Sequence, residues 1–143
     1  MTDAQLMVEA FHRLFDIVAH SSPTSVDEAT KALRIRLIQE EFEELKEAMA
    51  GEHLPSVAKE LADLLYVIYG TAVSYGIDMA PVFREVHRSN MSKVGGYKRE
   101  DGKWIKPASY SPAQIAPILA AQGSDRIGTG EYQDVIEEVS QGG

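Results

Sequence analysis

Apolar residues recur at steps of three and four through residue 93, and this spacing predicts amphipathic helices. Helix-breaking residues divide the pattern, because Pro23 follows the first periodic segment and Gly51 and Gly76 stand where the second and third segments end. Asp78 is a predicted N-cap for the fourth segment. The four predicted helices cover residues 3–19, 27–50, 55–75 and 81–93.

Helical periodicity stops after residues 95–96, which are both glycine. Asp101-Gly102 then lies between two short segments and predicts a β-hairpin closed by a type I′ turn. A two-stranded hairpin is marginally stable alone, so we expect this one to pack on the helices. A short fifth helix is predicted over residues 111–122.

These elements together predict an all-α fold, an antiparallel bundle of four to five main helices with a small β-hairpin after the fourth helix. The chain of 143 residues is long enough for one domain with its own core, which we expect to cover residues 1–123. Residues 124–143 are polar and rich in glycine, with one further helix predicted at 131–139. We expect this tail to be mobile or to dock on a partner subunit.

The charge balance narrows the range of ligands. The chain has 22 Asp and Glu residues against 14 Lys and Arg residues, a net charge of −8. This balance argues against a binder of nucleic acid polymers, whose affinity comes mainly from basic residues. A cluster of carboxylates can nevertheless hold divalent cations, and those cations attract phosphate.

The composition also excludes several kinds of site. No cysteine is present, which rules out disulfides, thiolate zinc sites and cysteine nucleophiles. The first residues show no basic segment followed by an apolar one, so we expect no secretory signal. The longest apolar stretch, residues 61–77, contains Asp63 and two glycines and is predicted to be a buried helix. We therefore expect a cytoplasmic protein without membrane contact.

Acidic residues occupy apolar positions in the second and third predicted helices. Glu41 falls inside the apolar stripe of its helix, and Glu44 lies three residues later on the same side. Glu60 and Asp63 stand likewise among the apolar residues of the third helix, while Lys59 is predicted to point elsewhere. A buried carboxylate without a partner costs several kcal/mol, so these side chains require compensation.

The turn between these helices is predicted to bring the carboxylates together. In an antiparallel helical hairpin, residues at equal distances from the turn lie side by side. The midpoint between Glu44 and Glu60 is position 52, and the midpoint between Glu41 and Asp63 is the same position. Four converging carboxylates suit a hard cation such as Mg²⁺ or Mn²⁺. The alternative is a solvated acidic face.

The fourth predicted helix carries groups that suit phosphate. Asn90 and Lys93 fall among its apolar residues, on the face expected to turn inward, while Glu85 and Arg88 are expected to point outward. Beside a metal site, an inward lysine and asparagine would bind phosphate oxygens. The alternative for Lys93 is a lysine that reaches back to solvent from a helix end.

The block Glu40-Glu41-x-x-Glu44, followed by Glu60-x-x-Asp63 and Asn90-x-x-Lys93, resembles the all-α nucleoside triphosphate pyrophosphohydrolases. That superfamily contains MazG-like proteins, dimeric dUTPases and phosphoribosyl-ATP pyrophosphohydrolases. The resemblance covers residues 33–94, and the following hairpin is similar to a MazG-like, dUTPase-related branch. It implies cleavage of a (deoxy)nucleoside triphosphate between the α and β phosphates, and assembly as a homodimer or a dimer of dimers.

The resemblance also implies roles for individual residues and a substrate. The expected substrate is dUTP, in house-cleaning of the nucleotide pool, and the runner-up is phosphoribosyl-ATP. An apolar, aromatic nucleobase pocket is expected from the first helix or from a neighbouring subunit. The residues assigned are Glu41, Glu44, Glu60 and Asp63 as ligands of Mg²⁺ or Mn²⁺ with Glu41 also catalytic, Glu40 to orient or deprotonate the attacking water, Asn90 and Lys93 on the phosphates with Lys93 also catalytic, and Phe11 and Phe15 in the base pocket.

Two other classes of protein stay open. A carboxylate-bridged di-iron protein would need Glu-x-x-His on its helices, and none of the four histidines lies in that pattern. The second class is a non-enzymatic helical interaction module whose carboxylates only add solubility. Metal binding in a calorimetric titration separates that module from an enzyme.

Overall fold

Three helices form the centre of the molecule: α1 (Asp3–Leu14) and α2 (Glu28–Gly51) both pack against α3 (Leu54–Tyr75). The structure, a computed structural model, describes residues 1–123. The predicted all-α bundle with a hairpin after the fourth helix is confirmed for this part of the chain. The elements in chain order are α1 (Asp3–Leu14), α2 (Glu28–Gly51), α3 (Leu54–Tyr75), α4 (Met79–Met91), β1 (Tyr97–Lys98), β2 (Trp104–Ile105) and α5 (Ala116–Gln122).

The predicted tail and its helix at 131–139 lie outside the described residues, and the domain boundary at residue 123 stays a prediction. Across residues 1–123, every helix is either too short or too polar to cross a bilayer.

Helix α1 is shorter than its hydrophobic pattern predicts. It begins behind Thr2, whose hydroxyl accepts a hydrogen bond from the Gln5 backbone N–H at 3.3 Å. It ends at Leu14 because Asp16 adopts a left-handed conformation with φ of 54°. The chain then turns back, and the Ile17 N–H donates to the His12 carbonyl at 2.8 Å. The prediction of a helix to residue 19 was therefore wrong by more than one turn.

Helices α2 and α3 form the predicted antiparallel hairpin. Asp27 caps α2, accepting a hydrogen bond from the Thr30 N–H at 2.8 Å. Gly51, the predicted stop, is instead the last residue of α2, and Glu52 takes the left-handed conformation with φ of 54°. The stop is thus displaced by one residue, and a glutamate occupies a position that favours glycine.

The C-terminal end of α3 is where the sequence predicts it. Gly76 has φ of 69°, and its N–H caps the helix by donating to carbonyls of the last turn. A Cβ at this position would overlap the Ser22 carbonyl oxygen, because the loop between α1 and α2 runs directly against it. Two conditions, the left-handed φ and the close approach, therefore both require glycine here.

Two buried glutamines hold the start of α4. The Gln5 amide donates to the Ile77 carbonyl at 2.6 Å and accepts from the Met79 N–H at 3.0 Å. Gln122 repeats this arrangement on Asp78, accepting from its N–H at 2.9 Å and donating to its carbonyl at 3.0 Å. Asp78 itself is the predicted N-cap, since its side chain accepts from the Ala80 N–H. The junction between α3 and α4 is therefore fully hydrogen-bonded.

The hairpin follows α4 and is hydrogen-bonded to the segment just after that helix, while its packing on the helices stays a prediction. Its register pairs Tyr97 with Ile105, and the indole N–H of Trp104 donates to the Lys93 carbonyl at 2.8 Å. The turn is not the predicted type I′, which needs positive φ at both central residues. Gly102 has φ of 88°, whereas Asp101 is not in the left-handed region, so the loop contains three residues with glycine in the left-handed position.

The orientation of α4 differs from the prediction. Phe83 and Val94, expected to face inward, are 70% and 71% exposed in the single chain. Glu85 and Arg88, expected to face solvent, pair at 2.8 Å and bind the segment before α5, where the Gln114 N–H donates to Glu85 at 2.9 Å. This pairing lowers the pKa of Glu85 to about 2, chiefly through the Arg88 hydrogen bond. The polar face of α4 therefore packs on its own chain, and the described elements leave much of the apolar face exposed.

Candidate metal centre

The antiparallel hairpin brings four carboxylates together. Glu41 and Glu44 project from α2, and Glu60 and Asp63 project from α3. One oxygen from each side chain lies within 4.8 Å of the corresponding oxygens of the other three. This convergence is the one that equal spacing from position 52 predicts, and it depends on two straight helices joined by a tight turn.

Part of this carboxylate cluster is buried and lacks hydrogen-bond partners. Within the described chain, the Oε2 atoms of Glu41 and Glu60 are inaccessible to solvent and accept no hydrogen bond. Burial raises the pKa of the Glu41 carboxyl, and the neighbouring carboxylates of Glu44, Asp63 and Glu60 raise it further. Such an arrangement disfavours negative charge unless a cation compensates it.

Lys59 supplies part of that compensation, which corrects the prediction that it points elsewhere. Its ammonium lies 2.7 Å from Asp63 Oδ2 and 3.4 Å from Glu60 Oε1. Lys59 and Asp63 are four residues apart on α3, the spacing at which side chains of one helix meet, so the pair is visible in the sequence. The Asp63 and Glu60 carboxylates in turn raise the pKa of Lys59. Because its side chain is 66% exposed, this pairing contributes little stability and is easily displaced.

The cluster fits a hard divalent cation. All its ligand atoms are carboxylate oxygens, the type that Mg²⁺ and Mn²⁺ prefer over imidazole or thiolate. Opposite oxygens around Mg²⁺ lie about 4.2 Å apart, since each Mg–O distance is about 2.1 Å. The observed 4.8 Å limit exceeds this separation by only about 0.6 Å, which side-chain rotation can supply. The buried oxygens of Glu41 and Glu60 that accept no hydrogen bond are a second reason, because a bound cation would satisfy them.

Glu40 is adjacent to Glu41 in the sequence but is not part of the carboxylate cluster. Its side chain is 57% exposed, and its carboxylate lies 3.9 Å from Arg36 Nε, one turn earlier on α2. The position next to Glu41 in sequence turns it toward solvent at the edge of the site. Its assignment to the attacking water stays a prediction.

Asn90 and Lys93 lie together at the end of α4. The Lys93 ammonium donates to Asn90 Oδ1 at 2.8 Å. Among residues 1–123, no hydrogen bond or ion pair joins either side chain to the four carboxylates. Their approach to the metal ligands therefore stays a prediction. Both line a shallow cavity of about 230 Å³, completed by Met91, Val94 and Trp104.

An aromatic cluster lies one turn from the carboxylates. The rings of Phe11 and Phe15 are 4.6 Å apart, and Tyr66 meets Phe11 edge-on at 5.5 Å. Tyr66 follows Asp63 by three residues on α3, so the two side chains share one side of the helix. Sequence reasoning named the two phenylalanines and missed Tyr66, although its spacing from Asp63 is visible in the sequence.

A comparison with known protein families bears on the carboxylate cluster. A family model described as phosphoribosyl-ATP pyrophosphohydrolase matches residues 8–90 of this chain. The matched segment is more than half of the 143 residues and runs from within α1 to the last turn of α4. It contains all four carboxylates of the cluster and ends before Lys93 and the hairpin.

Proposed function

We propose that this chain, which belongs to the phosphoribosyl-ATP pyrophosphohydrolase family of the MazG-like superfamily, is a Mg²⁺-dependent enzyme. The proposed reaction is the cleavage of a nucleoside triphosphate between the α and β phosphates. Membership makes it a hydrolase of phosphoric anhydrides with nucleotide pyrophosphohydrolase activity. The choice of metal, the substrate and the residue roles are the proposed part. The observation that supports them is a cluster of four carboxylates within 4.8 Å that includes two buried oxygens without partners.

The proposed metal ligands are Glu41, Glu44, Glu60 and Asp63, with Mn²⁺ as a substitute for Mg²⁺. When bound, the ion supplies positive charge that neutralises phosphate oxygens and makes the phosphorus easier to attack. The Lys59 ammonium, which lies 2.7 Å from Asp63, moves aside into solvent when the ion binds. Glu44, the exposed member of the set, sits where substrate enters from solvent.

The reaction that these residues serve is an in-line displacement at the α-phosphorus. Glu40, exposed at the edge of the cluster, orients water and accepts its proton as the new oxygen–phosphorus bond forms. The bond from the α-phosphorus to the bridging oxygen breaks, and pyrophosphate leaves with that oxygen. Lys93 and Asn90 bind the phosphate oxygens and stabilise the charge that develops on the leaving group.

A second copy of the chain is part of the proposal, as a homodimer or a dimer of dimers. Several large apolar side chains of α2 and α3 are exposed in the single chain, and exposed apolar patches are typical of interaction surfaces. Asn90 lies beside the exposed apolar residues of α4. If that face packs on a second copy of the chain, Asn90 and Lys93 can approach the carboxylate cluster of the second copy. The large apolar side chains of α2 and α3 that are 40% or more exposed include Phe42, Met49, Leu61, Leu65 and Ile68.

Two substrates are proposed for the same chemistry. The first is dUTP, which rests on the resemblance of the hairpin to the dUTPase-related branch and implies house-cleaning of the nucleotide pool. The second is phosphoribosyl-ATP, which the description of the matching family favours. Either base would stack on the aromatic cluster of Phe11, Phe15 and Tyr66, whose rings are between 38% and 60% exposed.

A screen of nucleoside triphosphates and phosphoribosyl-ATP, with separate detection of pyrophosphate and orthophosphate, tests the proposal. We expect Mg²⁺-dependent release of pyrophosphate and monophosphate, lost in Glu41→Gln. The control is Glu43→Gln, since Glu43 lies on the same helix but pairs with Lys46 at 3.1 Å outside the cluster. Release of orthophosphate would contradict attack at the α-phosphorus, and full activity in Glu41→Gln would place the metal elsewhere.

A further inference from the structure

Arg34 is a buried cation on α2 that binds the backbone of α3. It is 5% exposed. Its Nη2 donates to the Val67 carbonyl at 2.9 Å, and its Nε donates to Thr71 Oγ1 at 3.2 Å. Thr71 Oγ1 donates to the same Val67 carbonyl at 2.9 Å, so the three groups form a closed set. In residues 1–123, the side-chain hydrogen bonds between α2 and α3 come from this arginine.

Gly70 makes room for the guanidinium. A Cβ at Gly70 would overlap Arg34 Nη2 and lie 2.9 Å from His12 Nε2. Glycine inside a helix costs about 1 kcal/mol relative to alanine. Since Gly70 lies inside α3, more than a turn from its C-terminal end, and has no positive φ, its benefit is the space that it leaves for Arg34.

Arg34 and Gly70 lie at equal distances from the turn between α2 and α3, as the paired carboxylates do. Both are 18 residues from Glu52, at the tip of the hairpin, just as Glu41 and Asp63 are each 11 residues from it. Arg34 precedes Glu41 by seven residues, or two turns, which is about 10.5 Å along the helix. The Arg34–Gly70 contact and the four carboxylates therefore lie in one groove at a fixed separation.

We propose that Arg34 is a positioning residue that holds α2 and α3 in the register at which the four carboxylates converge. The proposal rests on the proposed function, because the carboxylates it aligns are the proposed metal ligands. Apolar contacts between helices tolerate sliding by a turn, whereas a donor that must meet a single carbonyl specifies one alignment. The four carboxylates repel one another without an ion, so the alignment has to be enforced from outside the cluster.

The test is the affinity of the purified full chain for Mn²⁺, measured by calorimetric titration without substrate. Arg34→Lys keeps the charge but loses the fork that binds two acceptors, and Gly70→Ala displaces the guanidinium while leaving Arg34 present. We expect each to weaken Mn²⁺ binding about tenfold, at the lower end of the effect of residues that orient metal ligands. The double variant should be little worse than either single one, because both changes break the same contact.

Gln5→Ala is the matched control. Gln5 is fully buried and hydrogen-bonded, but it joins α1 to the start of α4 and makes no contact between α2 and α3. We expect this variant to lose stability while its Mn²⁺ affinity stays that of the wild type. Activity should show the same split: Arg34→Lys should need more Mg²⁺ for half-maximal rate and recover kcat at saturating Mg²⁺.

The outcomes separate the two proposals. Unchanged Mn²⁺ affinity in folded Arg34→Lys and Gly70→Ala would overturn the role of Arg34, and so would an equal loss in Gln5→Ala. A raised substrate KM at saturating Mg²⁺ would overturn it as well, because Arg34 would then act on substrate. If Mn²⁺ binds the wild type and Glu41→Gln equally, the metal site itself is wrong and the proposed function fails first.

Discussion

The Lys59 ammonium lies 2.7 Å from the Asp63 carboxylate, which makes a side chain of α3 the counter-ion of the proposed metal site. A metal ion and Lys59 therefore compete for the same oxygens. The Lys59 contact does not satisfy the buried Glu41 Oε2, so the two cations are not equivalent for the cluster. This competition has a measurable consequence.

Lys59→Ala should tighten metal binding. It removes both the competing ion pair and a positive charge beside the site, and we expect Mn²⁺ affinity to rise about twofold to fivefold by calorimetric titration. Lys46→Ala is the control, since Lys46 forms a comparable exposed pair with Glu43 at 3.1 Å away from the cluster. Weaker binding in Lys59→Ala would show that the lysine supports the ion.

Mg²⁺ or Mn²⁺ should raise the melting temperature of the chain. An ion that binds only the native state stabilises it by about 2.7 kcal/mol at one hundred times Kd. Glu41→Gln should lose this shift and melt at the wild-type temperature or above it without metal, because it removes a repelled, partly buried charge. Differential scanning calorimetry at millimolar metal checks both statements. The absence of a shift in the wild type would remove the metal site.

Lys93→Ala should impair substrate handling and leave metal binding unchanged. Loss of a charged hydrogen bond to phosphate is expected to raise KM about tenfold. Lys98→Ala is the control, because Lys98 lies nearby in β1 and is exposed. Steady-state kinetics and a Mn²⁺ titration on the same samples test the prediction, and an unchanged KM in Lys93→Ala would contradict the phosphate role.

Acidification should destabilise the chain through His12. Burial lowers the pKa of this histidine, the hydrogen bond to the Val18 carbonyl opposes the shift, and the charges of Arg34 and Arg13 lower the pKa further. The unfolded chain therefore takes up a proton near pH 6.5, while the folded chain does so only at lower pH. The stability from neutral, buried His12 is present above pH 6.5 and is lost as the pH falls from there toward the folded pKa.

Chemical denaturation between pH 7.5 and 5.5, with chelator present, measures this effect. His12→Asn should have a lower free energy of unfolding, and that free energy should change less with pH over this range. His53→Asn serves as the control, because His53 is exposed at the start of α3 and bonds to Ser56 Oγ at 2.8 Å. An equally steep profile in His12→Asn would assign the pH dependence to another group.

The chain should be a homodimer or a dimer of dimers at micromolar concentration. Leu65 is 54% exposed on α3 in the single chain, so Leu65→Glu should dissociate the assembly while circular dichroism stays unchanged. Sedimentation velocity provides the mass. A monomeric wild type would refute the assembly and, with it, the route that brings Lys93 to the carboxylates.

The position of the carboxylates was predictable because it depends on two local properties, helix periodicity and the centre of one turn. The two left-handed residues that end α1 and α2, Asp16 and Glu52, were missed because neither is glycine. Lys59 was assigned to the wrong direction although its spacing of four residues from Asp63 places the two side chains next to each other on α3. The first two errors arise where a single φ overrides a regular pattern, whereas the Lys59 pair was visible in the sequence.

The face of α4 illustrates a second limit. Periodicity identified the apolar side that contains Phe83 and Val94, but not which element covers it, and no element within residues 1–123 buries these two side chains. The burial of Arg34 depends on Gly70, which is 36 residues away and becomes relevant only once the helices are paired. Which side chains become buried in this way depends on how the helices pair, and the pattern of a single helix does not show it.

The paired glutamines at the start of α4 bear on how the chain can be cut and joined. Gln5 and Gln122 bind neighbouring backbone groups, so the two ends of the described region meet at one junction. A truncation that removes either glutamine would release the first turn of α4. A short linker between residues 123 and 1, with new ends opened at the tip of the α2–α3 hairpin, would instead preserve the junction. That circular permutant would keep both helices of the carboxylate cluster and leave their alignment to the contacts between them, such as that of Arg34 with the Val67 carbonyl.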